Sequence, residues 1–461
     1  YYWLNKDYRI LFLTLISCVF IAGLSINLMV YVIFYTGINY FTGIYISDSP
    51  FKKTVFRTGI IVNLLLICLL KYYDFTINPV LNLFGLDINI GTISKIIVPI
   101  GISYLTLQGI GYLINIYFGW EKPERNFIYL LLYLSFYPKF LSGPIERSNH
   151  FLPQLRDLQP FSENQVVDGL RMCLMGIFKK IAIADQLAPY VNNAYSNLSS
   201  PLDSSLWIIW LVQPLYLYFD FSGYTDIAIG FAKTFGIELL PNFNRPFFSE
   251  NMTVFWKRFH ISLSSWFNDY VFKQTSFKYR KWGVAASVYA VFVTFILFGI
   301  WHGAGWTFMI LGLLQALAIN YEFFTKKVRS RLFSFIPEYI GVWIGRVFTY
   351  LFYCSSLVFF FSPDLPSATV FFSNLFRKNS HVITNIRSEI LFIILLTSLF
   401  ISFFLILEFI KNDFPNFFKR IEGFWLGNKQ KNRYLRWITY CLVITILIIL
   451  GNKEPQFIYF Q

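Results

Sequence analysis

Long apolar runs alternating with short polar, often basic, loops fill most of the chain, and their lengths set the first expectation. A membrane-spanning helix needs roughly 20 apolar residues, and on that measure the pattern predicts about eleven spans or partial spans. The clearest apolar runs lie at residues 9–34 (with a continuation toward 46), 55–70, 96–118, 127–141, 172–184, 206–219, 225–235, 285–300, 306–324, 340–361, 390–410 and 437–450. Several are too short for a full crossing. Pro138, Gly143 and Pro144 interrupt one run, Gln213 and Pro214 another, and residues 299–305 a third. Irregular backbone at membrane depth survives only where protein or a water-filled cavity satisfies its polar groups. The expected fold is therefore all-α: a polytopic membrane protein with re-entrant and interfacial helices around a central cavity, residues 1–461 forming one integral-membrane domain.

Loop charge supplies a topology. Lys52, Lys53 and Arg57, Lys257 and Arg258, the 273–281 segment, Lys326, Lys327, Arg329 and Arg331, and the 411–436 segment are assigned to the cytoplasm by the inside-positive bias. The runs 285–300 and 306–324 then form a hairpin with its turn, 299–305, deep or toward the outside. Residues 362–387 and the C-terminus fall outside.

Composition agrees. Hydrophobic residues make 56% of the 461 and charged ones only 14%, which excludes an ordinary soluble domain. With 26 Gly and 18 Pro the chain is neither fibrous nor disordered. The 39 Lys and Arg against 25 Asp and Glu leave +14, a balance that suggests nucleic acid in a soluble protein. Here membrane lipids and topology explain it, no nucleic acid is expected, and the excess suits an anionic cytoplasmic substrate. The five cysteines stand singly in or beside apolar runs with no metal-ligand spacing, so neither a disulfide framework nor a metal site is expected. The chain opens at Tyr1 without an initiator Met, and the apolar segment from Ile10, too long for a signal peptide, reads as a membrane anchor.

Of four histidines, His150, His260, His302 and His381, two have unusual surroundings. His302 lies between two apolar runs, where an ionisable group needs a partner or a wet cavity. Gly299, Gly303 and Gly305 allow close backbone approach there, and Trp301 and Trp306 can wall a pocket. An imidazole can take a proton from a hydroxyl as that oxygen attacks an acyl carbon; the bland alternative is a buried structural hydrogen bond. His260 sits in a segment whose Trp256, Phe259, Leu263, Trp266, Phe267 and Tyr270 share a stripe at helical spacing, with Lys257, Arg258, Ser264 and Asn268 largely off it. That predicts an interfacial helix, with His260 at a cytoplasmic entrance or simply at headgroup level.

Asp220 and Asp226 fall in an apolar stretch where they need pairing or hydration; either can orient a histidine or hold an Arg such as Arg245, structural pairing being favoured. Gly101, Tyr104, Gln108, Gly111 and Asn115 recur every three or four residues, a face suited to lining a channel or to close helix packing. Lys257, Arg258, Lys273, Lys278, Arg280 and Lys281 can receive the phosphates of a nucleotide-bearing donor or serve only as an inside-positive anchor.

These segments resemble the membrane-bound O-acyltransferase (MBOAT) family, above all its bacterial branch, which includes the alginate O-acetylation membrane protein. The likeness is carried by Pro99-Ile100-Gly101-Ile102-Ser103 with Gln108, by Ser142-Gly143-Pro144-Ile145-Glu146-Arg147 with Pro153-Gln154-Leu155, and by Phe178-Lys179-Lys180 with Ile183-Ala184-Asp185. Its strongest part runs from Asp220-Phe221-Ser222-Gly223-Tyr224-Thr225-Asp226 through Asn242-Phe243-Asn244-Arg245-Pro246-Phe247 to Phe255-Trp256 and His260-Ile261-Ser262. Trp301-His302-Gly303-Ala304-Gly305-Trp306 and Phe457-Ile458-Tyr459-Phe460 complete it. Phe259 departs from the Trp usual before the second histidine but keeps an aromatic ring.

The resemblance implies that His302 matches the intramembrane catalytic histidine and His260 a second functional histidine facing a cytoplasmic funnel. Gln108, Asp220, Tyr224, Asp226, Asn244, Arg245, Trp256, Lys257, Arg258, Trp301 and Trp306 are the residues expected to bind substrate or line its pocket. The same resemblance implies acetyl-CoA or another acyl thioester as donor, a bacterial cytoplasmic membrane, a cell-envelope polysaccharide as acceptor and an extracytoplasmic hydrolase-fold (SGNH-like) acetyltransferase as partner. Two other classes fit the pattern: a polysaccharide or lipid transporter whose broken helices line a path, and a noncatalytic scaffold for envelope enzymes.

Overall fold

The structure, a computed structural model, describes residues 1–79, 101–198, 206–332, 334–376, 388–426 and 430–451. Residues 96–100 of one expected span, His381 with the 377–387 part of the expected external loop, and the closing Phe457-Ile458-Tyr459-Phe460 segment lie outside them.

Among the described residues every regular element is helical. In chain order the helices are α1 (Lys6–Leu24), α2 (Ile26–Asp48), α3 (Lys52–Lys71), α4 (Ile102–Phe118), α5 (Phe127–Ser135), α6 (Tyr137–Phe140), α7 (Ser148–Arg156), α8 (Glu163–Phe178), α9 (Asp185–Ser196) and α10 (Leu206–Thr234). There follow α11 (Met252–Trp256), α12 (Ile261–Phe267), α13 (Lys273–Lys278), α14 (Val284–His302), α15 (Trp306–Leu332), α16 (Glu338–Phe361), α17 (Leu365–Leu375), α18 (Ser388–Asp413), α19 (Pro415–Leu426) and α20 (Gln430–Leu450). Wider π-helical turns occupy Tyr73–Ile77, Lys179–Ala184 and Asn268–Phe272.

Seven helices among the described residues are long and apolar enough to cross a membrane: α1, α2, α3, α14, α15, α16 and the Asn432–Leu450 part of α20. The sequence pattern counted more because it accepted shorter runs, and the structure shows what those become. Residues 127–141 form α5 and α6, broken at Phe136, and α4 has 17 described residues. The run from 9 to 46 is two helices parted at Ser25, whose hydroxyl accepts the Leu28 amide at 3.3 Å and caps α2. Conversely, residues 206–219 and 225–235, expected as separate runs, belong to one helix, α10, of 29 residues with Pro214 inside it. Membrane helices tolerate such a residue because neighbouring groups take up the freed carbonyl.

The chain forms two compact units. The first comprises residues Tyr1–Cys173, Thr225–Asn242 and Ser262–Gly305. In it α2 and α3 pack against each other and on α4, while α1 packs on α5. A buried polar ladder fixes the register: Asn39 and Asn63 exchange amide hydrogen bonds at 3.3 and 3.2 Å, and the Tyr35 hydroxyl donates to Asn63. Tyr35 reaches this place because Gly109 of α4 has no side chain; a Cβ there would overlap the Tyr35 hydroxyl. With little hydrophobic driving force between helices in lipid, such close contacts and interhelical hydrogen bonds carry the packing.

The second unit comprises Leu174–Tyr224, Phe243–Ile261 and Trp306–Gln461. At its centre the Lys180 ammonium lies 2.5 Å from Asp220 and 2.7 Å from Asp185, all three groups buried. Gln213 joins α9, α10 and α16: it accepts from the Tyr195 hydroxyl at 2.5 Å and donates to the Cys354 carbonyl at 2.8 Å.

Candidate active site

His302 is the last residue of α14, which at 1.5 Å per residue is about 28 Å long, close to the thickness of a bilayer's hydrocarbon core. The basic turn Arg280–Trp282 precedes this helix, so the histidine and the cluster of positive charge stand at opposite ends of one rod. Beyond His302 the chain leaves the helix at Gly303 in extended backbone. The imidazole rests edge-on against Phe298 and Trp301, with ring centroids 4.7 and 4.9 Å away. Trp301 in turn meets Tyr104 of α4 at 5.3 Å and donates its indole N–H to the Ser103 carbonyl at 3.4 Å.

The final carbonyls of α14 have no partner within the helix, and they find one in the end of α3. The Lys71 ammonium donates to the carbonyl oxygens of Trp301 at 2.8 Å and His302 at 3.3 Å, and to the Ser103 hydroxyl at 3.0 Å. The Tyr72 hydroxyl is bonded to the carbonyls of Ile300 at 2.8 Å and Trp301 at 3.2 Å. Neither residue stood out in the sequence, where the apolar run was closed at residue 70. The available signal was a lysine at the very end of a membrane-length run.

The small-and-polar face of α4 is packed. Gln108 is buried and accepts from the Lys139 ammonium, Gly111 lies against Trp266 and Tyr270, and the Tyr270 hydroxyl donates to Asn115 at 2.7 Å. At these positions the face joins helices. Lys139, buried in the interrupted 127–141 run, is a second lysine that the sequence reading passed over.

His260 belongs to the second unit, and here the expectation of a continuous interfacial helix is corrected. The 255–270 segment breaks between α11 and α12, because His260 takes a left-handed backbone with φ 47°. The apolar stripe is present in type but not in continuous helical geometry. Nor is His260 a headgroup-level surface residue: it is 1% exposed, its ring 4.5 Å from that of Phe221 and nearly perpendicular to it. Just before it, Phe259 pairs as an isolated bridge with Phe243, and the Asn244 amide donates to the Arg258 carbonyl at 2.9 Å. Arg245, φ 51°, is the other non-glycine residue with positive φ among the described residues. Backbone strain of this kind costs on the order of 1–3 kcal/mol and clusters at functional sites.

The remaining expected site residues divide. Asp220 is held by Lys180. Arg245 donates to the Asn244 side chain at 2.9 Å and to the Lys411 carbonyl at 2.7 Å. Trp256 is buried and donates to Gln315 at 3.2 Å. Arg258 donates to the Phe248 carbonyl at 3.2 Å and to Asn412 at 3.4 Å, which commits part of its guanidinium to the fold; Lys257 is exposed. Tyr224 is buried, Asp226 half-buried, and Trp306 is 62% exposed at the start of α15.

At the C-terminal end of α4 a further polar cluster surrounds Glu121. Its carboxylate accepts from Ser148 at 2.5 Å, and Ser148 accepts from Asn115 at 3.2 Å. Burial pushes the Glu121 carboxyl up to about 7 despite these hydrogen bonds. Alongside, Arg147 packs over the Tyr270 ring at 4.6 Å and pairs with Asp269 at 3.5 Å.

Apolar helices of spanning length, one ending in a histidine whose turn is tied to a neighbouring helix, define a multi-pass helical membrane protein with a candidate proton-transfer group at a helix end. The chain belongs to the membrane-bound O-acyltransferase family, whose model matches residues 123–363, a little over half of the protein. Among its relatives, the "Probable alginate O-acetylase AlgI" of Azotobacter vinelandii is 32% identical over 326 residues, which cover 68% of this chain and 63% of that protein. The chain thus spans under two thirds of that relative's length. The peptidoglycan O-acetyltransferase of Helicobacter pylori is 28% identical over 513 aligned residues, covering 99% of this chain and 92% of the relative. The teichoic acid D-alanyltransferase of Bacillus subtilis is 32% identical over 279 residues, covering 57% and 68%.

Proposed function

We propose that this protein is a membrane O-acyltransferase that moves an acyl group, in the first place acetyl, from a cytosolic thioester such as acetyl-CoA toward an acceptor hydroxyl outside the bacterial cytoplasmic membrane. The observation that carries the reading is His302: an imidazole at the end of an apolar helix of membrane length, its last turn held by Lys71 and Tyr72. The relatives, named for acyl transfer to alginate, peptidoglycan and teichoic acid, support an envelope polymer as acceptor.

In this reading His302 is the general base. It takes the proton of the acceptor hydroxyl as that oxygen attacks the thioester carbonyl; the tetrahedral intermediate collapses, the C–S bond breaks, and the thiolate recovers the proton from the imidazolium. One ester forms and one free thiol leaves. The hydroxyl belongs either to the polymer or to an extracytoplasmic hydrolase-fold partner that passes the group on. His260, buried and strained, is assigned to positioning the donor or relaying a proton. Lys257, exposed, offers positive charge to the donor's phosphates.

The test is release of free CoA by the purified, reconstituted protein given acetyl-CoA and an envelope polysaccharide fraction, with acetyl ester formation followed by mass spectrometry. Saturable donor binding that weakens with added salt is expected. Transport of the glycan without CoA release would favour a transporter, and absence of donor binding a scaffold.

A further inference from the structure

The last turn of α14 is fixed from outside the helix, by two consecutive residues at the end of α3. A helix leaves its last four carbonyls without intrahelical donors, and the common remedy is a left-handed glycine just past the end. Gly303 does not supply it: its φ is −172°, extended backbone. Instead Lys71 and Tyr72 cover the carbonyls of residues 300, 301 and 302. A cation at a helix C-terminus is favoured by the macrodipole as well. The Lys71 ammonium has three N–H groups, and three oxygens stand within 2.8–3.3 Å of it: Ser103 Oγ and the carbonyls of Trp301 and His302. It lies over the Trp301 ring as well, 5.8 Å from the centroid. Its donors are thereby committed to the scaffold.

We propose that Lys71, assisted by Tyr72, is the positioning residue for His302: it locks the terminal turn of α14 so that the imidazole is held in one orientation against Phe298 and Trp301. This rests on the reading of His302 as the base. Lys71 acts through the histidine's backbone, and its value lies in orientation, where a displacement near 1 Å can cost roughly 100-fold in rate. Arg in its place keeps the charge and can donate to carbonyls; Met keeps the length of the stem and loses both.

The experiment uses the full-length protein in detergent with four substitutions: Lys71→Met, Lys71→Arg, Tyr72→Phe, and Lys53→Met as a control that removes an exposed charge from the same helix. Two readouts are taken: CoA release from acetyl-CoA, and the rate at which diethyl pyrocarbonate modifies His302, followed on its peptide by mass spectrometry. Lys71→Met is expected to lower kcat by roughly 10- to 100-fold with KM little changed, and to speed modification of His302 several-fold. Lys71→Arg recovers most of both, Tyr72→Phe gives a smaller loss, and Lys53→Met matches the wild type. Wild-type kcat together with wild-type labelling in Lys71→Met overturns the proposal, as does a rise in KM with kcat intact. If Lys71→Met does not fold, Lys71→Arg and Tyr72→Phe decide by the same labelling: graded exposure of His302 supports the proposal and wild-type rates in both overturn it. Should wild-type protein release no CoA, the donor reading fails, and the labelling rates still decide the positioning claim.

Discussion

His302 ends a 19-residue apolar helix, and its turn is tied down by hydrogen bonds from Lys71 and Tyr72 to backbone carbonyls. His260 sits in a break between two short helices, in a left-handed conformation, with its ring sealed against Phe221. In the first case the constraint lies in partners that hold the backbone whatever side chain follows. In the second the side chain fills the core, 1% exposed, whereas the His302 ring, though it touches Phe298 and Trp301, is only half-buried. A ring held by its backbone can be removed with little damage to the fold, whereas a ring that fills the core cannot. Loss of His302 should therefore cost activity with little stability, and loss of His260 should cost stability as well as activity.

The sharpest way to break this comparison is a pair of alanine substitutions. His302→Ala is expected to lower turnover by roughly 10²- to 10⁴-fold, the range of general-base catalysis, with a melting temperature near wild type. Next in size is Asp220→Asn. Removing one partner of the buried Lys180 group should cost on the order of 3–5 kcal/mol, read as a fall in melting temperature, while the specific activity of the folded fraction stays close to wild type. Selective loss of turnover without loss of stability would assign Asp220 to the chemistry.

His260→Ala should destabilise by about 1–3 kcal/mol, because a buried ring is lost and the positive φ remains, and His260→Gly should recover about 1 kcal/mol of that by relieving the backbone. Equal melting temperatures for the two variants would contradict the strained geometry. The smallest effect concerns Glu121. A carboxyl whose pKa is raised in the folded state binds its proton more tightly there, so its contribution is present at low pH and is lost as pH rises from about 4.5 toward 7. The melting temperature should drop between about pH 5 and about pH 8, and Glu121→Gln should flatten that slope.

Much of the fold was legible because lipid imposes one rule, long apolar helices, that hydropathy reads directly. The boundaries were less so. Ser25 splits a long, mostly apolar run through one hydroxyl cap, a signal too small to stand against its apolar neighbours by count, while Gln213 and Pro214 look like breakers and sit inside the continuous α10. The stripe around His260 was periodic by residue type, yet periodicity carries no information on φ, and a single left-handed residue ended the helix. Within the candidate site, a histidine flanked by glycines and tryptophans between apolar runs was visible from the sequence. Lys71 was not, because its partners lie 230 and 231 residues away and are backbone carbonyls, which no side-chain pattern records.

One comparison bears on the central claim most directly: the rate of CoA release from acetyl-CoA by His302→Ala beside the wild type, at matched amounts of protein verified as folded by thermal melting. The account predicts a wild-type rate that depends on the acceptor and a variant rate lower by roughly 10²-fold or more at an unchanged melting temperature. Turnover by the folded variant at the wild-type rate would contradict it.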